Sequence, residues 1–560
     1  MFRRIALTVI LVLACECGYC AEFVPEQPIM PVNELKAGMT GYILTVLKGY
    51  DPEKLPVKVV SIIPQKPGGE LSDEILIRLS KHKLAQGMSG SPVYVQGRLI
   101  GAVRSGWEMS DQSLACVAPI ESMCKIFAEP QRTHEHGVSL SVATISGLNM
   151  STPSVQEIGR RLGITFTQGL TRGTKSLTLS SERLKPGDSV CALLVWGDVE
   201  VGSVGTVTAT ARDGRFLAFG HPFGKAGKAS YPAAKTYIHD IVNSYSFPFK
   251  LATAEAITGT FTQDREAGIG GKFGVYPPSI QGELVFRDMD RETEKKYSFR
   301  VIADEFLSRE ILGKVFAALS EEAWGRKGQG TMSVNLRIDG RAAPKGWTRK
   351  DIFFSDDNIL AKAFEQSQEI ISAYLTQPFA ETLPAGFTLT VEATQKPRVL
   401  RIIDVTAPET AHRGENVEVS VTLKGWRTDA ITRKFTMRVP DDAEEGVCEL
   451  VVRSGSVDPS SQTAIEEGWK SIDSAERMLT EVKALDANNE LILELNIDRL
   501  GPELDRVLRG EKREGPDLLP EQEEFLSETK ARRIKEGSLK ILSSDYVILG
   551  RMKRLIHVEK

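Results

Sequence analysis

Gln86-Gly87-Met88-Ser89-Gly90-Ser91-Pro92 packs two glycines, two serines and a proline between strand-like hydrophobic runs. The backbone must turn sharply there, and the turn carries a hydroxyl. A serine attacks a carbonyl only when a base takes its proton and hydrogen-bond donors receive the oxyanion that forms. In a Gly-x-Ser-Gly loop the glycines adopt backbone angles closed to other residues, clear space for substrate and let main-chain N–H groups converge on one point. Ser89 is the expected nucleophile, with the Gly87 and Ser89 amides as oxyanion donors. The plain alternative is a Gly/Ser turn joining two strands, since short motifs recur without chemistry.

The surroundings of the heptapeptide decide the fold class. Residues 41–47, 56–63 and 74–79 read as strands, and beyond the loop Val93-Tyr94-Val95 and 98–103 flank Gln96-Gly97, a two-residue hairpin signal. The loop thus sits among short antiparallel strands, the setting of a β-barrel hydrolase and not of a strand-to-helix elbow.

A partner for Ser89 is sought downstream. Residues 205–211 form a strand that enters Asp213-Gly214, expected as a type I′ turn, and Arg215-Phe216-Leu217-Ala218-Phe219 returns to Gly220-His221-Pro222. A histidine at a strand end, between glycine and proline, is well placed to act as a base. The competing histidines are His82, in the polar run Lys81-His82-Lys83, and His134, His136 and His239. Asp264, ahead of the glycine-rich stretch Gly268-Ile269-Gly270-Gly271, is a candidate carboxylate. That stretch reads as a turn and lacks the strand-to-helix setting of a phosphate loop.

The rest of the chain carries no catalytic constellation. Residues 155–162, 304–319 and 357–377 have helical apolar spacing and read as core-packed helices. From 395 to 457 short alternating runs suggest an Ig-like β-sandwich, and 458–560 an α+β accessory module with a flexible loop at 511–515.

Composition narrows the function classes. At 560 residues the chain has room for about three or four domains. A net charge of −4 with no dense basic cluster argues against nucleic acid as a partner. Cys116, Cys124, Cys191 and Cys448 lack Cys-x-x-Cys spacing, which argues against a zinc cluster, while a Cys116–Cys124 bridge stays open. The basic start Met1-Phe2-Arg3-Arg4 and the apolar run 5–14 resemble a secretory signal over 1–21, so the protein is expected in the periplasm, the cell envelope or the medium. Cleavage near Cys20 or Ala21 and lipidation of Cys15 are both readable there. No later stretch is apolar enough to span a bilayer.

Two pieces, Gly87-Met88-Ser89-Gly90-Ser91-Pro92 and Gly205-Thr206-Val207-Thr208 through Phe219-Gly220-His221, together resemble the SpoIVB-type peptidases, family 55 of the serine peptidases. The resemblance runs from about Leu35 to Gly271. It implies a serine endopeptidase with a chymotrypsin-like double β-barrel core over about 30–345, helices continuing to 394, acting on proteins or peptides without metal or cofactor. Ser89 matches the family nucleophile, His221 the base and Asp73 the acid, with Glu74 adjoining it and Asp264 as the alternative. Ser89 precedes His221, the reverse of the sporulation enzyme, so one barrel half would be permuted; triads are defined by geometry and tolerate this. No PDZ module is recognisable. Two further readings stand beside the peptidase: an envelope scaffold or binding protein that keeps the fold, and a self-processing enzyme that cuts itself at a loop such as 133–139.

Overall fold

A computed structural model describes residues 22–65, 73–128, 142–170, 177–224, 227–244, 246–441, 443–455, 473–496 and 530–560. The signal-like segment with Cys15, the loop 133–139 with His134 and His136, and the run 511–515 lie outside the described residues. The chain is mainly β, as expected, with a closed six-stranded barrel and curled half-barrel sheets.

The chain falls into two compact units. The first, 1–139 with 179–192 and 204–276, holds the barrel: β1 (Thr40–Val46), β2 (Pro52–Ile63), β3 (Glu74–Leu79), β4 (Pro92–Val95), β5 (Arg98–Ser105) and β6 (Leu114–Pro119), closed in the order β1-β2-β3-β6-β5-β4. Alternation explains closure: Leu55, Val57 and Val59 of β2 and Ile75, Ile77 and Leu79 of β3 point inward, while their sequence neighbours face out. The β4–β5 hairpin turns at Gln96 (φ 51°) and Gly97 (φ 74°), both left-handed as a type I′ turn requires.

The same unit carries strands in the sheet order Gly227–Val242, Phe249–Arg265, Gly268–Phe273, Arg215–Ala218 and, from residue 204 on, Glu200–Thr210. Two sequence expectations are corrected here. Gly268–Phe273 is a strand, not a turn: Gly270 and Gly271 lack side chains because the rings of Phe127 and Phe216 occupy that space. At Asp213-Gly214 only Gly214 is left-handed (φ 86°), so the turn is not type I′; Asp213 instead caps the Arg215 amide at 3.0 Å. A second apolar cluster joins barrel to sheet, with Leu99, Ala102 and Ala118 from the barrel and Ala209, Leu217 and Ala267 from the sheet.

The second unit contains the helices Glu305–Trp324 and Ile359–Thr376, close to the expected spans, capped by Asp304 and Asn358. The sandwich expected over 395–457 also takes strands from the region expected as a separate α+β module. Val547–Leu549 pairs in parallel with Val399–Thr406, and Arg551–Glu559 pairs with Gly446–Ser454. Ile402, Val419, Leu450, Leu493, Ile548 and Ile556 share one core, so 457 is not a boundary between cores. Cys116, Cys124, Cys191 and Cys448 are buried and form no disulfide, so the Cys116–Cys124 bridge is absent.

Met88 is fully buried in the barrel core although it lies in the serine loop, and its sulfur accepts from the Ala85 amide at 3.4 Å. One side chain therefore ties loop position to core packing. Met88→Ala should destabilise the protein by about 2–5 kcal/mol, measured by denaturant titration.

Candidate active site

The loop around Ser89 is held from the sheet side. Thr206 N–H donates to Ser89 O at 2.8 Å, Thr206 Oγ1 donates to Gly87 O at 3.1 Å, and Thr208 Oγ1 donates to Gly90 O at 2.7 Å. Both threonines are fully buried, so these bonds are made away from water. Gly90 has φ +87°, and a methyl group there would run into the Thr206 carbonyl and the Phe219 amide. Main chain thus packs on main chain, and the turn that bears His221 lies against the loop that bears Ser89. The two motifs quoted from distant parts of the sequence meet in one place.

Amide use within the loop is selective. Gln86 N–H donates to Pro248 O, Met88 N–H to Ala85 O, Gly90 N–H to Val103 O and Ser91 N–H to Met88 O. Gly87 and Ser89 N–H donate to nothing among the described residues, and these are the two amides expected as oxyanion donors. Ser89 is half-buried, and its Oγ likewise has no hydrogen-bond partner among the described residues.

His221 follows two consecutive left-handed residues, Phe219 (φ 67°) and Gly220 (φ 65°). Its Nδ1 lies 2.8 Å from Pro222 O. A carbonyl only accepts, so this contact assigns the proton to Nδ1 and leaves the Nε2 lone pair free to take one. Burial pushes the His221 pKa below its usual 6.5, assisted by the cationic Arg104 and opposed by the Pro222 carbonyl and Glu266. The imidazole is therefore neutral at physiological pH. No hydrogen bond joins it to Ser89 among the described residues.

The carboxylates are arranged differently from the expected triad. Asp73 accepts from Gln65 N–H at 3.4 Å, and among the described residues no contact links it to His221. Its neighbour Glu74 pairs with Arg104 at 3.3 Å, and Arg104 also binds Glu266 Oε1 at 2.5 Å and Glu266 O at 2.6 Å. Arg104 Nη1 further reaches Gly220 O at 3.5 Å, next to His221. Asp264 is buried and accepts from Phe223 N–H at 2.8 Å and Gly224 N–H at 2.5 Å, so it fixes the turn that follows His221. Of the other histidines, His82 is exposed and His239 bonds Thr253 Oγ1 at 2.9 Å.

Sequence reading missed Lys250. Its amide donates to Gln86 O at 3.0 Å, and its alkyl chain packs on Gly87, where a methyl group would come within 3.0 Å of its Cδ. Its Nζ lies 3.0 Å from Thr45 Oγ1 and 3.4 Å from Ser189 Oγ, with no carboxylate partner among the described residues. The signal was available as a lone lysine in register with Ala252 and Ala254, inward-facing residues of the same strand. Burial brings its pKa down to about 7.

Among the described residues no cluster of histidine, cysteine or carboxylate side chains is arranged to hold a metal ion. No helix of the described residues is long and apolar enough to cross a membrane.

Two measurements probe this geometry. Above pH 7 the folded protein carries neutral Lys250 while the unfolded chain stays protonated up to about pH 10.5, so this residue makes stability rise with pH across that window. Lys250→Met should raise the melting temperature most at or below pH 7, with the gain shrinking toward pH 10. Gly90→Ala should separate the two loops and lower the melting temperature more than Gly97→Ala, whose added methyl meets nothing. No protein-family model and no curated protein matches this chain.

Proposed function

We propose that the chain is an exported serine endopeptidase of the SpoIVB type, with a double-β-barrel core of chymotrypsin-like organisation. The observation that carries this reading is the serine loop itself: among the described residues its Gly87 and Ser89 amides donate to nothing, and the loop packs against a turn that carries a histidine protonated on Nδ1. In the proposed reaction Ser89 Oγ attacks a peptide carbonyl while His221 Nε2 takes its proton. The Gly87 and Ser89 amides receive the oxyanion, and His221 returns the proton to the departing amine. Water then releases the acyl group by the same route. Asp73 and Asp264 remain alternative acids; the two amide bonds to Asp264 favour it as the residue that holds the His221 turn in place.

A second reading, a binding protein that keeps the fold with little turnover, is favoured by two features. Ser89 Oγ is not bonded to His221, and Nδ1 of His221 is held by a main-chain carbonyl instead of a carboxylate. A nucleophile and base that are not hydrogen-bonded before substrate arrives are nonetheless compatible with catalysis.

Labelling with a fluorophosphonate probe, followed by peptide mapping, separates the two. Modification should fall on Ser89, disappear in Ser89→Ala and slow by roughly 10³-fold in His221→Ala. The rate should drop on the acid side with a midpoint below pH 6.5, because His221 must lose its proton to act and burial lowers its pKa. Asp264→Asn should slow labelling more than Asp73→Asn. An intact, folded protein left unlabelled at Ser89 selects the binding reading.

A further inference from the structure

The second unit contains a cleft of about 430 Å³, a size typical of small-ligand and short-peptide sites. One wall is the sandwich sheet, where Arg401 of strand Val399–Thr406 lies directly opposite Lys424 of strand Asn416–Gly425. Like charges in register across two antiparallel strands repel. Among the described residues neither side chain has a carboxylate partner. The same two strands hold their carboxylates elsewhere: Asp404 pairs with Arg554 at 3.1 Å and Glu418 with Lys434 at 2.8 Å. The other wall, from strand Ala343–Ser355 and helix Ile359–Thr376, adds Lys362, whose ammonium lies 3.5 Å from Glu365.

The cleft also has an apolar side. The rings of Phe354 and Trp426 stand 5.9 Å apart at 54°, and Trp426 and Ile403 are 38% and 41% exposed. Arg427 lies over the Trp426 ring at 5.8 Å and supports it from outside the cleft. Two unpaired cations beside an exposed aromatic and aliphatic wall form an amphipathic receptor. Asp356 on the rim repels a densely charged polyanion and leaves a chain that carries separated carboxylates as the better fit.

We propose that this cleft binds an acidic peptide segment, with its carboxylates on Arg401 and Lys424 and an adjoining apolar side chain against Trp426. The Arg401 guanidinium suits bidentate carboxylate binding, and a bound carboxylate between the two cations removes their mutual repulsion. This site is separate from Ser89 and does not depend on the peptidase reading.

The test is fluorescence anisotropy of a fluorescein-labelled octapeptide alternating glutamate and leucine, with the full chain in the Ser89→Ala background so that the peptide stays intact. Saturable binding that weakens with salt is expected. The same peptide with glutamine for glutamate should bind at least tenfold more weakly, as should the glutamate peptide to Arg401→Gln/Lys424→Gln. Trp426→Ala should lose several-fold while keeping the salt dependence. The double variant should melt no lower than its parent, because it removes a repulsive pair at exposed positions. Absence of saturable binding, equal affinity for the two peptides, or unchanged affinity in a folded double variant overturns the proposal. Displacement of the peptide by inorganic phosphate or oligothymidylate at equal concentration also overturns it, in favour of a general anion surface. Should the double variant not fold, the glutamate-to-glutamine comparison on the parent protein decides alone.

Discussion

The candidate site rests on one close approach, the main chain of Gly90 against the Thr206 carbonyl and the Phe219 amide. A side chain at residue 90 would push apart the barrel and the sheet of the first unit at the point where their loops meet. Because the approach is backbone on backbone, it has no soft rotamer to absorb an error. Thr206 and Thr208 complete it from the sheet side and Met88 from the barrel core. The loop is thus clamped on both faces.

Burial sets the protonation states around this clamp. Lys250 and His221 both lie in surroundings that disfavour charge, and both are biased toward their neutral forms. Beside the His221 turn, Arg104 gathers two carboxylates, Glu74 and Glu266, and two main-chain carbonyls. Among the described residues Lys250 Nζ meets two hydroxyls, which solvate an ammonium less well than water or a carboxylate does.

Much of this was legible in the chain. The Gln96-Gly97 hairpin and the two long helices follow from local backbone chemistry and apolar periodicity, whereas the Ser89 loop and the Gly220-His221 turn were brought together in the sequence by a family resemblance. What escaped depends on contacts between distant segments. Gly268–Phe273 looks like a turn because glycine is read for its flexibility, whereas Phe127 and Phe216 use it for space. Asp213-Gly214 has the residues of a type I′ turn, but the carboxylate cap on Arg215 is compatible with a different geometry. The carboxylates are the least legible elements, since Asp73, Glu74, Asp264 and Glu266 look alike in sequence. They differ only in what they touch: an amide of Gln65, the guanidinium of Arg104, or the turn beyond His221.

The sandwich has a consequence for how the protein is made. Strand Gly446–Ser454 takes Glu490–Asn496 along one edge and Arg551–Glu559 along the other. A chain emerging from the ribosome N-terminus first presents that strand long before its second neighbour exists. Until residue 559 has been synthesised, one row of its amides and carbonyls stays open to any passing strand. Nascent chains of this protein therefore have a defined window of vulnerability to mispairing, and a holdase that covers a single β-edge would act on this segment.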